Sequence, residues 1–223
     1  FPYTTLFRSI EGMLRAGKKA NDLHHPILLD PVGAGASKFR TETALRLMQE
    51  LNLAVIRGNI SEIKTLALGS GTTKGVDADV SDAVTEENLE QAIEFVKAFS
   101  KKTGTIIAVT GRIDLVTDEN RCYVIRNGRP EMGKITGTGC QLSGMMTAFI
   151  TANPDEMLEA AAAAVITGSS PSSEGSERKR FPGSESGSGT VRADTAERIS
   201  FCRGSTKRNS PYVTESSKRR RMR

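Results

Sequence analysis

The residues best equipped for chemistry lie in Lys134–Cys140, KITGTGC, where two glycines flank a threonine and a thiol follows at once. Beyond Cys140 the apolar residues Leu142, Met145, Met146, Phe149 and Ile150 recur at the spacing of one buried helical face. The spacing predicts a helix beginning at about Cys140. Glycine adopts backbone angles other residues avoid, so Gly137, Thr138 and Gly139 can turn several N–H groups toward one point. Together with the positive end of the helix dipole they form a seat for an anion. A cysteine at such a position is a better proton acceptor than one in solvent, because the same field favours thiolate. An anion seat beside a candidate base, Cys140, points to phosphoryl chemistry. A plain glycine turn followed by a structural cysteine is the alternative.

This loop must be held by the elements before it. Ser9 to about Leu23 has helical periodicity, Pro26–Asp30 reads as a buried strand, and PVGAGAS follows as a loop. Thr41–Leu51 reads as a helix, Leu53–Arg57 as a strand, and Asn59-Ile-Ser-Glu62 as a capping box opening another helix. Thr85–Lys102 is a helix, acidic at its start and basic at its end, closed by Gly104. Thr105–Thr110, Ile113–Thr117 and Cys122–Arg126 read as strands, the last joined to a further strand through an Asn127-Gly128 hairpin turn. Strand alternating with helix predicts an α/β fold, with a mostly parallel central sheet and helices on both faces. In such sheets ligands bind at the carboxyl ends of the strands. Asp30, Arg57 and Thr110 all stand there, so they should converge.

Each of these residues also has an ordinary reading. Arg57 ends an otherwise apolar strand and needs a partner, which a surface position would supply. Thr110 can cap the turn before Gly111. Asp30 can initiate a turn before Pro31, and Glu62 can serve only its capping box. Gly33 and Gly35 either let the loop approach a ligand closely or simply turn the chain.

Charge is unevenly spread. Of 31 basic and 26 acidic residues, 13 and 6 lie in Gly168–Arg223, leaving 18 and 20 in a nearly neutral remainder. The chain is therefore read as three parts. Residues 1–8 form a non-native or unassigned leader, 9–167 a folded domain, and 168–223 a low-complexity basic tail, disordered or read out of frame. The terminal KRRRMR lacks aromatic interleaving, so no nucleic-acid partner is expected. Cys122, Cys140 and Cys202 have neither paired nor metal-ligand spacing, which with two adjacent histidines argues against zinc. No apolar run reaches membrane-spanning length, and a reducing, cytoplasmic location without membrane partners is expected.

Four segments, DPVGAGASKFR, AVIRGNISEI, IAVTGRIDLVTD and KITGTGC, in this order and spacing, resemble hydroxyethylthiazole kinase of the ribokinase-like superfamily. The resemblance runs from about Ser9 to Thr167. It implies a three-layer ribokinase-like fold and transfer of the ATP γ-phosphoryl group to the alcohol of 4-methyl-5-(2-hydroxyethyl)thiazole, a thiamine precursor. It further implies Cys140 as the catalytic base, Arg57 and Thr110 as ATP contacts, and Asp30 and Glu62 around Mg²⁺. Gly137, Thr138 and Gly139 become the anion hole for the transferred group. A homotrimer with sites at subunit boundaries is implied as well. Another ribokinase-like small-molecule kinase, an ADP-forming dehydratase with a related loop, an inactive fragment and a basic nucleic-acid-binding protein are the alternatives.

Overall fold

The computed structural model describes residues 3–69, 83–126, 136–169 and 199–203, with side chains from 9 to 168 within those spans. The Asn127-Gly128 turn, Lys134 and Ile135 fall outside the described residues. Helix α1 (Tyr3–Asp22) leads to strand β1 (Leu28–Leu29), helix α2 (Lys38–Glu50) and β2 (Val55–Gly58). Helices α3 (Ile60–Gly69) and α4 (Leu89–Thr103) precede β3 (Ile106–Val109), β4 (Asp114–Thr117) and β5 (Arg121–Ile125). Helices α5 (Thr138–Ala152) and α6 (Met157–Ser169) follow, and β6 (Ile199–Arg203) ends the described chain.

Several boundaries differ from those read in the sequence, for local reasons. Helix α1 begins six residues ahead of Ser9, since nothing in Tyr3–Arg8 breaks a helix. Helix α4 begins at Leu89 rather than Thr85, because Asn88 turns the preceding chain: its Oδ1 accepts the Thr85 N–H and its Nδ2 donates to the Ala83 carbonyl. Gly104 closes that helix in the left-handed conformation, φ 67°. Within the segment expected to be a disordered or out-of-frame tail, Ile199–Arg203 pair as a strand with the edge of β5.

The sheet order follows the chain, β1 to β6. It is a mixed sheet: β1, β2 and β3 run parallel, whereas β4, β5 and β6 each run antiparallel to the strand before. Connection length decides this. Parallel neighbours need a crossover of about a dozen residues or more, which α2, α3 and α4 provide. Only residues 110–113 separate β3 from β4 and only 118–120 separate β4 from β5, so these strands must turn back as hairpins.

Alternation along the strands sorts side chains into two cores. Leu29, Ile56, Ile107, Leu115 and Val124 pack with α1 to α4 on one face. Val55, Ala108, Val116 and Ile125 pack with Leu142, Met146 and Ile150 of α5 and the alanine-rich face of α6 on the other. Val55 and Ile56 are adjacent in sequence, fully buried, and belong to different cores. On burial grounds, Ile56→Ala should lower unfolding stability by about 2–5 kcal/mol in urea titration. Met13→Ala, at a side chain 45% exposed, should change it by less than about 0.5 kcal/mol.

Candidate functional site

The same alternation aims the polar residues at the strand ends. Counting by twos from Leu28, Val55 and Ala108, which lie on the α5 side of the sheet, leads to Asp30, Arg57 and Thr110. All three therefore reach the carboxyl ends of parallel strands facing the start of α5. They meet there. Arg57 donates from Nη2 to Thr110 Oγ1 at 2.8 Å and from Nη1 to Asp30 Oδ2 at 3.3 Å. Thr110 is itself held by its backbone N–H, which donates to the Gly58 carbonyl.

Helix α5 closes over this group. Gly137 is its N-cap at φ 92°, a conformation that favours glycine, and Cys140 is the third helical residue, exposed and not in a disulfide. A Cβ at Gly139 would come within 2.9 Å of Arg57 Nη1, so glycine lets the helix start settle against the guanidinium without displacing it. Thr138 and Gly139 are half-buried, whereas Gly137 and Cys140 face outward. Ser143, one turn past Cys140, donates to Asp30 Oδ2 at 2.6 Å. Sequence reasoning did not pick out Ser143. Its signal is the i+3 spacing from Cys140, which puts both on neighbouring parts of one helical face.

The electrostatics of this arrangement are unbalanced in a useful way. A guanidinium and the positive end of a helix face each other with one carboxylate to offset them. Among the described residues, the buried side-chain polar atoms without a hydrogen-bond partner are Asp30 Oδ1 and Arg57 Nε. Both belong to this one group. Buried polar atoms are almost always satisfied, so two orphans within one group make it a candidate for bonding polar ligand atoms.

Glu62 does not join that group. It completes the capping box, with Oε2 accepting the Asn59 N–H at 2.9 Å while Asn59 Oδ1 accepts the Glu62 N–H at 2.8 Å. Its Oε1 accepts the Gly33 N–H at 2.9 Å and so ties the Pro31–Ser37 loop to α3. Gly33 and Gly35 have positive φ, and a Cβ at either would strike Arg40 or Thr65. The close approach they permit is thus to the protein's own side chains.

No three His, Cys, Asp or Glu residues cluster as a metal centre among the described residues. Mg²⁺, however, needs only one or two carboxylates besides phosphate oxygens and water. Asp30 Oδ1 fits that requirement, being a buried carboxylate oxygen with no partner. Glu62 retains lone pairs beyond its two amide bonds. A recess of about 440 Å³ lies at the opposite ends of β2 and β3, lined by Leu45, Met48, Leu53 and Lys102 among others. Asp30, Arg57, Glu62, Thr110, Cys140 and Ser143 are not among its lining residues. No described helix is long and apolar enough to cross a membrane.

Comparison with known proteins identifies the family. The family model for the hydroxyethylthiazole kinase family matches residues 4–188. A hydroxyethylthiazole kinase of Clostridium acetobutylicum is 61% identical over 157 residues, 70% of this chain and 58% of that protein. One from Methanocella arvoryzae is 45% identical, covering 70% of this chain and 56% of that protein. The solved hydroxyethylthiazole kinase of Pyrococcus horikoshii superposes with a TM-score of 0.60 at 34% identity, over 71% of this chain and 55% of that one. The chain thus spans somewhat more than half the length of these relatives. With the family model spanning most of its length, the chain belongs to the hydroxyethylthiazole kinase family.

Proposed function

We propose that the protein transfers the γ-phosphoryl group of ATP to the primary hydroxyl of 4-methyl-5-(2-hydroxyethyl)thiazole. The observation that carries this reading is the pair of orphaned buried atoms, Asp30 Oδ1 and Arg57 Nε, beneath a helix start that offers backbone N–H groups. Phosphoryl transfer asks little covalent chemistry of a protein; it asks for positioning and for positive charge around the transferring group. The arrangement supplies both.

In this reading Arg57 and Thr110 hold the ATP phosphates. Gly137, Thr138 and Gly139 present N–H groups to the γ-phosphoryl as charge develops on its oxygens. Cys140 Sγ accepts the substrate hydroxyl proton while the alcohol oxygen forms its bond to phosphorus. The bond from phosphorus to the β–γ bridging oxygen breaks, and ADP leaves with that electron pair. Asp30, through Oδ1, and Glu62 would hold Mg²⁺, which supplies neutralising charge to the β- and γ-phosphate oxygens when bound. The thiazole specificity, a homotrimeric assembly and a cytoplasmic location belong to the same proposal, supported by the family membership.

Several measurements test it. Phosphorylation should be fastest with hydroxyethylthiazole; a preference for pyridoxal or hydroxymethylpyrimidine overturns the substrate assignment. Cys140→Ala should lower kcat by about 10²-fold, with the affinity for an ATP analogue nearly unchanged, since a general base contributes typically about 10²–10⁴. Unchanged turnover removes Cys140 from the proton transfer. Arg57→Lys keeps the charge but loses the fork that spans Asp30 and Thr110. It should weaken nucleotide binding about 10- to 100-fold by calorimetry, the loss of one charge-assisted hydrogen bond of about 1.5–3 kcal/mol.

A further inference from the structure

Hydroxyl side chains inside helices usually donate to the carbonyl four residues back. Thr147 and Thr151 of α5 do so, to Ser143 and Thr147, and Thr167 of α6 does so to Ala163. Ser143 instead donates across the fold to Asp30 Oδ2, at 2.6 Å. That oxygen also accepts Arg57 Nη1, while Oδ1 of the same carboxylate has no partner although it is buried. The two oxygens of one carboxylate are thus made unequal, Oδ2 accepting two hydrogen bonds and Oδ1 left open.

Arg57 alone does not enforce this difference, because its bond to Asp30 is long and its fork is shared with Thr110. The short bond from Ser143 does. It comes from the helix whose N-terminus forms the anion seat, one turn past Cys140, so a single hydroxyl sets the carboxylate's rotation and fastens α5 to the end of β1. Resting on the kinase reading above, we propose that Ser143 is a positioning residue that fixes the Asp30 carboxylate with Oδ1 as the oxygen offered to a divalent cation bound with the nucleotide. Outer-shell partners of this kind commonly change metal affinity by about 10- to 100-fold when removed.

The test uses Mn²⁺ as the probe, with free Mn²⁺ read by electron paramagnetic resonance, protein in excess so that the ADP present is bound, and an ADP-only control subtracted. In Ser143→Ala the Mn²⁺ dissociation constant should rise at least about tenfold. ADP affinity measured in EDTA should stay at the level of the unaltered chain, which also reports that the site is folded. Ser143→Thr, which keeps the hydroxyl, should retain the original Mn²⁺ affinity. Equal Mn²⁺ affinity in Ser143→Ala and the unaltered chain overturns the role of Ser143 and leaves the kinase reading standing. A loss in Ser143→Thr as large as that in Ser143→Ala also overturns it, since the hydroxyl is then not the cause. If the unaltered chain takes up no Mn²⁺ with ADP, both the positioning role and the magnesium–nucleotide reading fall.

Discussion

A half-buried guanidinium set against the positive end of a helix is the constraint on which this structure turns. Neither group can be left facing the other unaided, because like partial charges repel most strongly where water is scarce. Asp30 offsets part of that charge, Thr110 takes a second donor of the fork, and Gly139 removes the Cβ that would hold the helix away. Each of these residues comes from a different element. Their meeting point therefore fixes how β1, β2, β3 and α5 sit relative to one another. What charge remains is an invitation to an anion.

The rest of the fold serves that meeting point. The parallel half of the sheet brings three strand ends to one edge, with long helical crossovers giving room for the loops that follow them. The antiparallel half broadens the floor beneath α5 and α6, whose small alanine side chains let α6 approach the strands closely. Arg121 and Tyr123 of β5 both reach Glu159 of α6, which pins that helix in place. On the other face, Glu62 fastens the Pro31–Ser37 loop to α3, so the chain leaving Asp30 is held from below.

Much of this was legible in the residues. Two-residue alternation, the capping box at Asn59 and Glu62, and Gly104 as a helix stop depend on local chemistry, and the structure has them. The convergence of Asp30, Arg57 and Thr110 followed from a general rule about strand ends. Most of what escaped depended on which side chains the fold or a local turn brings together. Ser143 looks like a neutral serine in an apolar helix until Asp30, 113 residues away, is brought beside it. Gly33 and Gly35 stayed open between a close approach to ligand and a plain turn, because the sequence does not announce that Arg40 and Thr65 stand against them. The mixed sheet was within reach, since connectors as short as those around β4 forbid a crossover, but alternation of strand and helix outweighed them. The late start of α4 turned on how one asparagine uses its amide.

Strand β2 packs three duties into consecutive residues: Val55 fills one core, Ile56 the other, and Arg57 reaches the site. Side-chain direction along a strand has a parity, and every duty here depends on it. Inserting or deleting a single residue between Leu53 and Arg57 would exchange the two cores' contributions and point the guanidinium to the face covered by α1 to α4 instead of toward α5. Length changes in this strand should therefore be tolerated only in pairs, while the loops at either side remain free to vary. Natural variation in the family is thus expected to change residue type within β2 and residue number outside it.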